Sequence, residues 1–233
     1  MQSLKSTALR NASETKWDIE LCEFAEKNLY TAVVSDSLDQ LGIRQQAMRE
    51  YLRPIHNHCV CAGWARTIAC SDVYHIPQDA YDVEIEAVDS LLPGEIAVVG
   101  TQKSVRNAPW GELLSTAAQV RGARGAIIDG LVRDVRKIEE IQFPVFAAGI
   151  KPVDSMGRGI VTAYNVPVEC GDVMVSPGDF VFADFDGIVT VPGDRVKEVI
   201  ELATDKVQRE NNSRRELKQG NYLRDVYNKY GVL

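Results

Sequence analysis

Between residues 110 and 150 the chain switches twice from a helical pattern to a strand pattern with almost no spacer, and this alternation limits the fold more than any other feature. Residues 111–122 place Leu113, Leu114, Ala117 and Ala118 on one side of a helix that stops at Gly122 and Gly125. The apolar run 126–129 (AIID) follows as a strand, with Asp129-Gly130 read as a turn. Residues 134–141 (DVRKIEEI) return to helix, and 143–149 (FPVFAAG) to strand, closed by Gly149. Short apolar strands interleaved with amphipathic helices bury themselves only when the helices pack on a sheet, so the fold class is α/β.

The flanks agree. The first fifteen residues are polar and read as a loose arm. Residues 18–30 form an amphipathic helix with Ile19, Leu21, Cys22, Phe24, Ala25 and Leu29 on its apolar positions, and 31–42 a second helix that Gly42 ends. After Pro54 the texture turns to β over 59–70. Residues 81–92 read as helix, broken by Pro93-Gly94 before a buried strand at 95–99. From Val161 onward, short strands alternate with Pro-Gly, Gly-Asp and Asp-Gly turns, and residues 194–220 form a long amphipathic helix. With no internal repeat and no flexible linker, the simplest organisation is one domain over 1–233. Its core covers about 18–205, with helical arms at both ends, the C-terminal one at about 206–233.

Composition excludes several functions. A chain of 233 residues can bury a core without disulfide or zinc staples. The 26 Lys and Arg against 33 Asp and Glu give a net charge of −7, and no basic stripe interrupts it, so no nucleic-acid partner is expected. No apolar run reaches the ~18 residues of a membrane span, and the N-terminus lacks the apolar stretch of a signal peptide. The five cysteines are scattered and odd in number, as in a protein kept reduced in the cytoplasm.

Residues 56–61 (HNHCVC) gather two His and two Cys. In an extended chain, His56 and His58 would face one way and Cys59 and Cys61 the other, so the four could not converge on one zinc. The segment reads as a loop leading into a strand with two buried thiols. His75 has no partner placed by spacing and reads as a surface or packed histidine.

Residues 111–134 hold the chemistry. Gly111 opens a helix without a shielding side chain, leaving the amides of the first turn free for a carboxylate or phosphate. Arg133-Asp134 lie where a buried strand meets the next helix. An arginine there can grip a carboxylate bidentately and stabilise a developing enolate oxygen. A single aspartate plus waters suits Mg²⁺, which often takes only one or two protein carboxylates. The same residues have structural accounts: Asp134 as a helix N-cap, Glu112 as a partner of the helix dipole, Arg133 as half of a surface ion pair.

The ordered strings WGELLSTAAQVRGARGAIIDGLVRD, FPVFAAGIKPVDSMGRG, VPVECGDVMVSPGD and FADFDGIVTVP resemble a family over about residues 30–205. That family joins the regulator of ribonuclease E activity A to the class II 4-hydroxy-4-methyl-2-oxoglutarate / 4-carboxy-4-hydroxy-2-oxoadipate aldolases. The resemblance implies a compact fold like the swivelling phosphohistidine domain, assembled as a homotrimer or homohexamer with the site at a subunit interface. It also implies catalytic roles for Glu112, Arg133 and Asp134. Asp134 would carry Mg²⁺ or Mn²⁺, and Gly111, Leu113, Leu114 and Arg133 would bind the substrate. The function so implied is a metal-dependent carbon–carbon lyase that releases pyruvate from a 2-oxo acid by retro-aldol cleavage or decarboxylation. The alternative is a non-catalytic, protein-binding regulator on the same scaffold. One departure stands out: the family's aldolases carry Asp where this chain has Glu112, one methylene longer.

Overall fold

The computed structural model describes residues 17–232, so the polar stretch expected to form an N-terminal arm lies outside the described residues. Helix α1 (Ile19–Asn28) begins where the Asp18 carboxylate accepts the Leu21 amide at 2.9 Å. Helix α2 (Thr31–Gln40) has no cap of its own. Its first amide and hydroxyl donate instead to Asp184, at 2.8 and 2.6 Å, from a turn far along the chain. Strands β1 (Arg53–Pro54) and β2 (Cys61–Asp72) follow, then α3 (Asp82–Asp89), β3 (Glu95–Gly100), α4 (Glu112–Val120), β4 (Gly125–Val132), α5 (Val135–Glu140) and β5 (Val145–Ile150). Strands β6 (Gly159–Tyr164), β7 (Val168–Cys170), β8 (Val173–Val175), β9 (Phe180–Ala183) and β10 (Ile188–Val191) lead into helices α6 (Val196–Lys218) and α7 (Leu223–Tyr230). Among the described residues, no helix is long and apolar enough to cross a membrane.

Eight strands form one mixed sheet in the order β1-β5-β4-β3-β2-β9-β10, with β6 also on β2. Strands β2, β3, β4 and β5 are parallel neighbours. The twelve-residue β2 is long enough to serve two partners on its other edge. Its first half pairs antiparallel with β9 and its second half with β6, with a register shift at Ala69/Cys70. Strands β7 and β8 form a separate hairpin. Helices α3, α4 and α5 cover one face of the parallel strands, where Val88, Ala118 and Ile138 join Ile128 of β4 and Phe143 in one cluster. The segment around Met48 and Leu52, with the β7–β8 hairpin, covers the other. Helices α1, α2 and α6 close a third cluster over β9 and β10, around Phe180, Phe182 and Val199.

The predicted α/β alternation is present, with one local correction. Asp129-Gly130 is not a turn: β4 runs straight through it, with an irregular register against β5 between Ile128 and Leu131. The glycine answers to crowding, because a Cβ at Gly130 would lie 2.7 Å from the Thr101 hydroxyl. Residues 56–61 are the loop-to-strand entry expected: 56–59 make a tight turn, with the Cys59 amide on the His56 carbonyl at 3.3 Å, and the strand starts at Cys61. His56 is buried against the Phe143 carbonyl and His58 is exposed, while both thiols are buried. The long helix expected over 194–220 is α6, which runs through position 206. Lys206 pairs with Asp36 at 2.7 Å, and α7 turns back to seat Val226 and to hand Glu216 the Lys229 ammonium and the Tyr230 hydroxyl. The C-terminal stretch therefore buries part of its own apolar face, leaving Tyr222 and Leu223 exposed.

Candidate active site

The carboxyl ends of parallel strands are where an α/β sheet opens onto its connecting loops. Here the loops after β3, β4 and β5 enclose a cleft of about 490 Å³. All the residues singled out from the sequence line it: Gly111, Glu112, Leu113, Leu114, Arg133 and Asp134. Two backbone contacts bring the segments together. Trp110 bridges to Val132, so the approach to α4 runs beside the end of β4, and the Arg133 amide donates to the Trp110 carbonyl at 3.0 Å. Trp110 is buried and its indole donates to Ser115 at 2.9 Å, which fixes the entrance to α4.

Gly111 is the N-cap of α4 and makes no side-chain cap bond. Its backbone is extended (φ −153°), which any residue adopts, so the glycine serves space rather than conformation. A Cβ there would lie 2.7 Å from Asp134 Oδ2 and 3.1 Å from Arg133 Cγ. The Glu112 amide points at Asp134 Oδ2 from 3.5 Å. The Leu113 and Leu114 amides have no acceptor among the described residues, so the positive end of α4 is open to an anion. The Glu112 carboxylate accepts the Thr116 hydroxyl at 2.8 Å, one helical turn on.

Asp134 stands at the N-cap position of α5, yet its side chain makes no cap bond to that helix. Its backbone is left-handed (φ 61°, ψ 29°), a conformation that costs a non-glycine residue about 1 kcal/mol or more. The capping account of this residue therefore fails: the strained backbone turns the carboxylate toward the cleft. Arg133 lies with Nε 3.9 Å from Asp134 Oδ2 and donates through its terminal nitrogen to Asp154 at 3.0 Å. One carboxylate thus braces the guanidinium while its remaining edge stays available. Among the described residues no three His, Cys, Asp or Glu gather into a metal-ligand set; Asp134 offers a single carboxylate, the oxygen chemistry of which a hard divalent ion could use only beside its own waters.

Four further titratable residues of the cleft escaped the sequence reading: Tyr81, Glu84, Lys137 and Asp154. Asp154 follows β5 and accepts the Tyr81 hydroxyl at 2.5 Å and the Met156 amide at 3.1 Å. Burial opposes its charge, but Tyr81, the Met156 amide and Arg133 together hold its carboxyl below the usual range. Burial pushes the Glu84 carboxyl up to about 7, helped by the charge of Asp154 and opposed by Arg133. Lys137 is held as an ammonium by Glu140 at 2.7 Å, its pKa raised by that hydrogen bond. A signal for Asp154 was present, because the loop after each parallel strand belongs to the same rim. Glu84 carried none; in the sequence it is one acid of an amphipathic helix.

Residues 31–190 match the model of the RraA-like proteins, described as Aldolase/RraA. The chain belongs to the RraA-like family. A relative in Halalkalibacterium halodurans, provisionally named 4-hydroxy-4-methyl-2-oxoglutarate aldolase, is 27% identical over 77% of this chain and 80% of its own length. An uncharacterized protein of Methanocaldococcus jannaschii is 39% identical over 132 residues, 56% of this chain and 62% of its own length. The match thus spans less than two-thirds of that relative. Among solved structures, Streptomyces coelicolor RraAS2, described as an unusual member of the RNase ES inhibitor RraA protein family, superposes with a TM-score of 0.77. It is 28% identical, over 86% of this chain and all of RraAS2. The RraA-like match covers both halves of the cleft, from α4 to the loop after β5.

Proposed function

We propose that this cleft is the active site of a carbon–carbon lyase that takes a 2-oxo acid and releases pyruvate. One observation carries the reading: the open amides of α4, the braced Arg133 and the uncapped Asp134 converge on a single cleft. The Leu113 and Leu114 amides would hold the substrate carboxylate. Arg133 would donate to the 2-oxo oxygen and stabilise the enolate that cleavage leaves, a preorganised charge held in place by Asp154. Glu112, steadied by Thr116, would orient a water that takes the proton of the substrate hydroxyl in retro-aldol cleavage. Asp134 would hold Mg²⁺ or Mn²⁺, which when bound supplies Lewis-acid polarisation of the 2-oxo group. Lys137 lines the cleft, but an ammonium paired with Glu140 is not a Schiff-base nucleophile.

The proposal extends to the rest of the molecule. The chain is taken as one domain, like the swivelling phosphohistidine fold, working in the cytoplasm as a homotrimer or homohexamer. Leu113 and Ile150 are 78% and 64% exposed at or beside the cleft mouth, apolar surface that an assembly would cover. A second reading, a protein-binding regulator without catalysis, draws on the full-length likeness to RraAS2.

The deciding experiment is pyruvate release from a panel of 2-oxo acids, oxaloacetate and a 4-hydroxy-2-oxo diacid included, with and without Mg²⁺ or Mn²⁺. Metal-dependent release is expected. No release from any member would leave the regulator reading standing. A sedimenting monomer would end the proposed assembly.

A further inference from the structure

Cleavage leaves a carbon that must gain a proton, and Glu84 is placed for that transfer. It projects from α3 into the cleft and also lines a small chamber behind it, which shares Pro109 and Ser155 with the cleft. Among the described residues Glu84 makes no hydrogen bond and no ion pair, whereas its neighbour Asp154 is bonded to Tyr81, Met156 and Arg133. A half-buried carboxyl without a partner is costly unless it is held neutral or has a task.

The chamber supplies the second observation. Its open volume of about 10 Å³ is room for one water. Asp72, Thr101, Ser104, Asn107 and Ser155 give it polar walls. Asn107 is only 4% exposed, and its side chain makes no hydrogen bond among the described residues, so both ends of its amide remain for an occupant. The charged groups around Glu84 are Arg133 from the end of β4, Asp154 from the loop after β5 and Asp72 from the end of β2.

We propose that Glu84 is the acid that protonates the enolate carbon, resupplied through a single water held by Asn107 in the chamber. The assignment rests on the lyase reading. When the carbon–carbon bond breaks, its electron pair stays on the 2-oxo fragment as an enolate. The Glu84 O–H bond then breaks, its proton forms the new C–H bond at the methyl carbon, and pyruvate is complete. The carboxylate left behind regains a proton from the chamber water, which exchanges with solvent. In reverse, the same carboxylate removes a methyl proton from pyruvate. A carboxyl that burial raises to about 7 populates both forms at neutral pH, as a two-way proton carrier needs.

Two measurements on the full chain test this. The first follows side-chain carboxyl carbons of glutamate by NMR against pH. One glutamate titrating near neutrality is expected, absent in Glu84→Gln. The second follows hydrogen–deuterium exchange at the methyl group of pyruvate with Mg²⁺ present. Glu84→Gln should slow it about 10²-fold or more, with partial rescue in Glu84→Asp and pyruvate affinity little changed. Exchange at the wild-type rate in Glu84→Gln, or no glutamate titrating near neutrality, overturns the role of Glu84 alone. Wild-type protein that neither exchanges these protons nor releases pyruvate overturns the lyase reading, and this one with it.

Discussion

Two charged clusters sit at opposite ends of the same parallel strands and are built on opposite terms. At the amino end of β3, Glu95 is 2% exposed and saturated. It accepts Arg66 and the Trp17 indole, each at 3.0 Å, and the Leu92 amide at 2.8 Å. Trp17 in turn stacks on Trp64 with ring centroids 4.8 Å apart. At the carboxyl ends, Asp134 makes no cap bond to α5 and meets the Glu112 amide only at 3.5 Å, Glu84 has no partner among the described residues, and the backbone at Asp134 is strained to hold its carboxylate where it is. Full satisfaction marks charge retained for the fold. Unspent hydrogen-bonding capacity beside a cleft marks charge retained for a ligand.

Substitutions at the two ends should therefore separate activity from stability. The largest effect belongs to Asp134→Ala, which should abolish divalent-metal binding in calorimetry and, with it, pyruvate release, while stability falls by less than about 1 kcal/mol. It removes no cap bond of α5 and only a long 3.5 Å contact with the first amide of α4, so neither helix is lost with it. Unchanged metal affinity would take Asp134 out of the site. Next comes Glu95→Ala, expected to cost about 3–5 kcal/mol in urea unfolding because it strands the Arg66 guanidinium in the interior. A cost below about 1 kcal/mol would mean that the amino-end cluster is as dispensable as a surface pair.

Arg133→Lys comes third. The lysine keeps the charge but loses the planar fork that can face Asp154 with one edge and a substrate oxygen with another. Turnover should fall on the order of 10²-fold, close to the fall in Arg133→Ala, with stability changed by less than about 1 kcal/mol. Near-normal turnover in the lysine variant would show that the position needs charge and not geometry.

The two ends also differed in how far the sequence exposed them. Gly111, Glu112, Arg133 and Asp134 were legible because helix starts and strand ends are local patterns, and the loops they occupy meet at one sheet edge. Asp129-Gly130 misled for the same reason. A dipeptide that favours turns sits inside a strand because Thr101, nearly thirty residues earlier, leaves no room for a Cβ. Glu84 and the Glu95 cluster were invisible, since Glu84–Arg133 and Trp17–Glu95 proximity is created by tertiary packing and leaves no spacing to read. The C-terminal arm was half legible: its amphipathic face was clear, but the return of α7 onto Glu216 depends on a turn at Gly220 that composition alone does not aim.

The smallest effect gives the most direct measure of strain at the carboxyl end. Asp134→Gly removes the same carboxylate as Asp134→Ala but accepts a φ of 61° without a Cβ clash. If the left-handed backbone is held for the sake of the side chain, the glycine variant should be more stable than the alanine variant by about 1 kcal/mol. Against the wild type the gain should be smaller, because aspartate tolerates this region better than most residues and because glycine loosens the unfolded chain. Both variants should be equally inactive, so a stability difference between them cannot come from the chemistry. Urea unfolding of the three proteins at one pH resolves the comparison. Equal stability of Gly and Ala would mean that the surrounding loop relaxes out of the left-handed region once the carboxylate is gone, and that Asp134 is not held under strain.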